Sequence, residues 1–337
     1  MSQSSAPPLG PEPGVRPGPG SDADPASGTA HAKAILVGEH SVVYGRPAVA
    51  LPVGQLRVTA RIRRIDGPPS LCNDGASLPI DRLPERFASI GVAARAALDF
   101  FGLSGEGVEI DVVNEIPAGA GLGASAAVAH AVVEALRAHA EAELSEAERF
   151  ELVQTAERTA HGNPSGLDAL ATRTGLPLLF QSRRGTPLPP AAPLWFAIAD
   201  TGVRSSTKQA VAQLARFVEE RPRRAQELLD RLGELALQAA GQLRAARTAE
   251  LGARMDEAQT ALDELGVGHP MIERLTAAAR AAGALGAKLT GAGRGGCVLA
   301  LAGDEARARE LLTAMRAAGA VSGELVRIGQ GPAGAGA

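Results

Sequence analysis

The run Pro117, Ala118, Gly119, Ala120, Gly121, Leu122, Gly123, Ala124, Ser125 sets three glycines at alternate positions ahead of a serine. Such a loop lets backbone N–H groups converge on an anion, and a helix starting behind it adds a partial positive charge. A triphosphate would suit this cradle, although the loop alone reads equally well as an ordinary strand-to-helix turn. Three other stretches carry ionisable groups. In HAKAILVGEHSVVYG, residues 31–45, Lys33 leads into an apolar run, and Glu39 and His40 stand just past its end, where charged groups can reach a ligand crevice. In ERTAHGNPSGLD, residues 157–168, Glu157 and His161 share a helix face and Asp168 follows a tight turn. KLTGAGRGGC, residues 288–297, is a glycine turn expected between a helix and a strand, and its glycines allow close approach to another loop or a ligand. Taken singly, Lys33 also reads as a solvated lysine and Asp168 as a stabilising acid at a helix start.

Two phosphate-binding patterns can be tested against the first loop. The GxxxxGK pattern followed by Ser or Thr fails, because the loop contains no lysine. The dinucleotide pattern is matched in letters by Gly119, Gly121 and Ala124, and again by Gly291, Gly293 and Gly296. That makes an NAD(P)-dependent oxidoreductase the rival from another class. Its context is wrong, because the strand before the first loop alternates as in an antiparallel sheet and the second run leads into a strand instead of a helix.

The elements that must hold these groups follow from periodicity. Residues 34–37 and 56–62 read as strands, and Val108, Ile110 and Val112 alternate with polar residues as a half-buried strand. Residues 126–142 lack glycine and proline and read as a helix behind the loop, with another at about 146–161. Residues 209–265 read as long amphipathic helices broken near Pro222, and residues 297–301 as a strand. Residues 1–28 hold seven prolines and five glycines, so they are expected to be a disordered leader, as is the tail at 329–337. A Pro- and Arg-rich stretch at 181–193 is the expected domain boundary, dividing the chain into 29–185 and 186–328.

Bulk properties narrow the classes. A chain of 337 residues with 45% hydrophobic content is expected to form two packed domains. A net charge of -3 offers no cationic field for nucleic acid. The two cysteines, Cys72 and Cys297, give no disulfide framework and read as free thiols of a cytoplasmic protein. No apolar run approaches the roughly 18 residues of a membrane span, and no secretory signal is expected at the start.

Taken together and in order, HAKAILVGEHSVVYG, PAGAGLGASAA, HGNPSGLD and KLTGAGRGGC resemble the motifs of the GHMP kinases. Within that superfamily, GEHSVVYG with HGNPSGLD is similar to the mevalonate kinases, whereas galactokinase-like sequences carry an acidic residue and a tyrosine soon after GEH; another GHMP small-molecule kinase, such as a phosphomevalonate kinase, is the alternative. The resemblance implies an α/β (α+β) fold of two domains, the first like ribosomal protein S5 and the second ferredoxin-like, with the active site in the cleft between them. It implies Mg2+ with ATP as co-substrate and mevalonate as acceptor, in a monomer or homodimer. Asp168 would be the catalytic base and Lys33 its partner. Ser125 and Glu157 would be the magnesium ligands, residues 117–125 would bind ATP, and Gly291, Ala292 and Gly293 would form a supporting loop. Glu39, His40 and Thr207 would line the substrate pocket beside Asp168. Two departures stand out: Ala124 replaces a second serine, and His31 with Ala32 replaces a common Pro-Gly pair.

Overall fold

The computed structural model describes residues 25–73, 75–162, 164–204 and 207–329. The first half is built on the long strand β2 (Ala48–Arg64), which pairs along one edge with β1 (Ser27–Val37). Its other edge takes β5 (Val108–Asn114) and β6 (Leu178–Gln181) at its two ends. The short β3 (Ser70–Asn73), β4 (Ala76–Pro79) and β7 (Arg184–Pro187) complete a seven-stranded sheet. Helices α1 (Ala88–Phe100), α2 (Ala124–His139) and α3 (Glu146–His161) pack together, and α2 lies on β1 and β2. The five-residue α4 (Leu167–Ala171) follows a glycine turn.

The second half is an antiparallel four-stranded sheet in the order β11-β8-β10-β9, from β8 (Leu194–Asp200), β9 (Gly286–Thr290), β10 (Cys297–Ala302) and β11 (Ser322–Ile328). Around it are α5 (Thr207–Glu220), α6 (Pro222–Arg244), α7 (Thr248–Glu264), α8 (Pro270–Ala281) and α9 (Glu305–Ala317). The break expected at Pro222 falls between α5 and α6, with the proline at the first turn of α6, where its missing N–H costs nothing. Ser145 and Glu148 form a reciprocal capping box that starts α3 at the expected residue.

Several expectations need correction. Ser27 and Gly28, assigned to the leader, belong to β1 and pair with Arg61 and Ala60. A Cβ on Gly28 would lie 2.3 Å from the Ala131 carbonyl oxygen of α2, so the glycine is there for close strand-to-helix packing. Most of the remaining leader, and the tail after Gly329, fall outside the described residues. Helix α2 begins at Ala124, two residues earlier than expected, because Gly123 turns the chain through a left-handed φ of 76° directly into it. The turn after Thr290 joins two strands, not a helix and a strand, so Lys288 lies in a sheet. Residues 181–187 finish the first sheet, and the chain enters the second at Leu194.

Helix α7 lies so close to β9 that a Cβ on Gly252 would sit 2.0 Å from the Leu285 carbonyl oxygen. Gly252→Ala should therefore destabilise the protein by roughly 1–3 kcal/mol through overpacking, although helix propensity alone favours alanine by about 1 kcal/mol. Urea denaturation measures the sign, and a stabilised variant would show that the contact is loose.

Candidate active site

The free edge of β1 gathers the site. Three alternate N–H groups on that edge are bonded, not to another strand, but to the segments that carry the ionisable residues. His31 N–H donates to the Thr172 carbonyl beyond α4 at 3.0 Å, and Lys33 N–H to the Leu122 carbonyl of the glycine loop at 3.0 Å. Ile35 N–H donates to Thr290 Oγ1 of β9 at 2.7 Å, and that hydroxyl donates back to the Ile35 carbonyl at 3.1 Å. The two glycine runs then meet backbone to backbone: a Cβ on Gly291 would lie 2.8 Å from the Cα of Gly121.

Between these segments opens a cleft of about 330 Å3, lined by residues of both halves. Lys33 is 3% exposed, so it is no solvated surface lysine. Its Nζ lies 3.2 Å from Asp168 Oδ1 and donates to the Gly121 carbonyl at 3.2 Å. Gly123 keeps this geometry open, because a Cβ there would lie 3.0 Å from both Cγ and Cε of Lys33. Asp168 sits in the first turn of α4 with its side chain 30% exposed, which leaves it open to a ligand. The loop from Pro117 to Ser125, including Gly119, Ala120, Gly121, Leu122, Gly123 and Ala124, borders the same cleft, and all three of its glycines have positive φ.

Helix α3 adds Gln154, Glu157 and His161 to the lining of the cleft. Glu157 is 2% exposed, and its carboxyl is pushed up to about 7, first by burial and then by the charge of Asp168. The Ser125 hydroxyl and Lys33 act in the opposite direction. Ser125 lies near enough to favour the carboxylate, yet neither Ser125 Oγ nor Glu157 Oε1 completes a well-formed hydrogen bond among the described residues. Two buried oxygens left short of a partner beside a third oxygen donor, Asp168, fit a hard cation with few protein ligands, the habit of Mg2+ bound with phosphate. Among the described residues no cluster of three or more His, Cys, Asp or Glu side chains forms a dedicated metal cage. His161 lies 3.8 Å from Glu157 Oε2, and its pKa is lowered chiefly by burial.

His40 borders the cleft in a left-handed conformation, φ 62°, and its Nε2–H donates to the Ala292 carbonyl at 2.9 Å. Burial lowers its pKa to about 4, so the ring is neutral at pH 7. Gly291 and Ala292 reach the cleft, whereas Gly293 packs against Val267 behind it. Glu39, expected in the substrate pocket, does not border the cleft and is wholly buried against Lys288. Thr207 begins α5, but its side chain lies outside the described residues, as does Asn163 of the turn before Asp168. Gln154 was missed in the sequence because a glutamine one turn before Glu157 carries no pattern of its own. Lys288 had a signal, a lone cation in the otherwise uncharged run 281–293, which reading it as a helix end concealed.

Comparison with known proteins agrees with this architecture. The GHMP kinases N terminal domain matches residues 88–175, and the GHMP kinases C terminal domain matches residues 225–321. The chain belongs to the GHMP kinases, ATP-dependent phosphotransferases of small molecules. Among its relatives are the mevalonate kinases of Pyrococcus horikoshii, 34% identical over 308 residues spanning 85% of this chain and 91% of that one, and of Archaeoglobus fulgidus, 34% identical over 275 residues. The crystal structure of the L. major mevalonate kinase in complex with R-mevalonate superposes with a TM-score of 0.77 at 25% identity, covering 90% of this chain and 95% of that one. That of the Methanococcus jannaschii mevalonate kinase shares the fold at a TM-score of 0.76. The dinucleotide reading is thereby set aside, in keeping with a second glycine run that joins antiparallel strands.

The carboxyl of Glu157 holds its proton more tightly in the folded chain than the ordinary value of 4.5 allows, so its ionisation removes stability as pH rises from about 4.5 to about 7. Glu157→Gln lacks that loss. In EDTA the variant should be more stable than the parent at pH 8, by on the order of 3 kcal/mol at most, and so melt higher, and the gap should close near pH 5. A pH-independent difference in melting temperature would contradict the assignment.

Proposed function

We propose that this protein transfers the γ-phosphate of Mg-ATP to the primary hydroxyl of (R)-mevalonate, giving 5-phosphomevalonate and ADP. The observation that carries the mechanism is the ion pair of buried Lys33 with half-exposed Asp168, in a cleft it shares with a glycine loop and a helix N-terminus. The choice of acceptor is supported by the relatives, which bear the name mevalonate kinase.

Phosphoryl transfer requires in-line positioning and charge neutralisation more than covalent help. The amides of residues 119–125 bind the phosphates and hold them against α2. Ser125 and Glu157, with Asp168 beside them, would hold Mg2+, which when bound neutralises phosphate charge. Asp168, paired with Lys33, accepts the proton of the acceptor hydroxyl as its oxygen attacks the γ-phosphorus. Lys33 cannot turn away, being fixed by the Gly121 carbonyl, so it also faces the charge that develops on transfer. His40, Val42 and Val43 add to the wall, where an acceptor with both apolar and polar faces can lie. Cys72 and Cys297 are both unpaired, which accords with a cytoplasmic setting.

ADP release with Mg-ATP, measured in parallel on mevalonate, phosphomevalonate, galactose and homoserine, tests the acceptor. Activity is expected on mevalonate, and Asp168→Asn should lower turnover by about 10²–10⁴-fold while nucleotide binding persists. Turnover on another acceptor would reassign the pocket, and near-normal turnover by Asp168→Asn would remove the general base.

A further inference from the structure

Lys288 and Glu39 form an ion pair with both side chains at 0% exposure, one from β9 of the second sheet and the other from the turn after β1 of the first. Burial pushes the Glu39 carboxyl up and the Lys288 ammonium down, while each partner's charge acts to keep the other ionised. Lys288 Nζ also donates to the Leu289 carbonyl at 2.5 Å, and among the described residues Glu39 Oε2 finds no partner. A buried pair of this kind often adds little stability over apolar side chains of the same size, so its use points to specificity of arrangement.

What it arranges is the next residue. His40 is held at φ 62° in the turn closed by Ser41 N–H to the Glu39 carbonyl at 2.6 Å and Val42 N–H to the Gly38 carbonyl at 3.2 Å. A non-glycine residue stays in that region only when its surroundings fix it on several sides. Here both anchors come from one hairpin: Lys288 on β9 takes Glu39, and Ala292 in the turn beyond takes the His40 ring. Glu39 does not touch the cleft, but His40 does.

We propose that Lys288 is a positioning residue for the acceptor side of the cleft: through Glu39 it locks the turn at residues 38–42 onto the β9–β10 hairpin and so fixes the His40 ring in the pocket wall. The proposal rests on the acceptor reading given above only for its kinetic consequence. Its structural consequence can be read without any acceptor.

The test uses Lys288→Met, Glu39→Ala and the double variant Glu39→Gln/Lys288→Met, which replaces the pair by neutral groups of similar size. In 15N NMR of the full chain, the His40 Nε2–H, assigned among the six histidines by comparison with His40→Asn, should be an exchange-protected signal. That signal should be lost in each single variant and stay lost in the double one, which removes the stranded charge without restoring the link. Kinetically, the KM for mevalonate should rise by on the order of 10–100-fold in the singles and in the double variant alike, with the KM for Mg-ATP within about threefold of the parent. Glu39→Ala keeps the test decisive if Lys288→Met does not fold. The proposal is overturned by a His40 signal that survives in folded single variants, by a folded double variant that recovers it, or by a parallel change in both KM values. A parent protein that ignores mevalonate would sink the acceptor assignment and leave the NMR result to judge Lys288.

Discussion

The free edge of β1 is the constraint from which the rest of the site follows. An edge strand exposes N–H groups that must find acceptors, and here the acceptors are Thr172, Leu122 and Thr290, each from a different segment of the cleft. Satisfying the strand therefore assembles the site. The glycine loop and the short helix bearing Asp168 are brought within reach of Lys33 by main-chain bonds, and the hairpin of the second sheet by the Thr290 hydroxyl, which bonds the main chain of Ile35. Gly121 and Gly291 allow the last of these approaches, because no side chain fits between their backbones.

Charge is then placed in a medium that screens it poorly. Lys33 stands against Asp168 and faces Glu157 close by, so two acids share one buried cation. The imbalance appears as a Glu157 carboxyl raised to about 7 and as buried oxygens on Ser125 and Glu157 short of partners. A binding site that leaves negative charge under-compensated is prepared for a cation arriving with its nucleotide. The second ion pair, Lys288 with Glu39, is balanced one to one and closed to the cleft, which marks it as architecture.

Much of this was legible in the sequence, for physical reasons that differ from residue to residue. The alternate glycines at 119, 121 and 123 and the capping box at Ser145 are local signals, and the loop and the start of α3 lie where they indicate. Asp168 and Glu157 stood out because turn residues flank one and a helical spacing ties the other to His161. What sequence could not give was register across space. The hairpin at residues 286–302 was hidden because the short buried strand β9 has no alternation and follows α8 after a brief turn. Its misreading concealed Lys288, and without Lys288 Glu39 looked like a ligand-facing acid. Gly28 likewise seemed part of a flexible leader, because its role lies in contact with a helix about a hundred residues further along the chain.

The most direct measurement is a crystal structure of the protein with mevalonate, Mg2+ and a non-hydrolysable ATP analogue. The account predicts the primary hydroxyl within about 3 Å of the Asp168 carboxylate, the metal on Ser125 and Glu157, and the phosphates against the amides of residues 119–125. A hydroxyl directed away from Asp168, or a metal bound without Ser125 and Glu157, would contradict it.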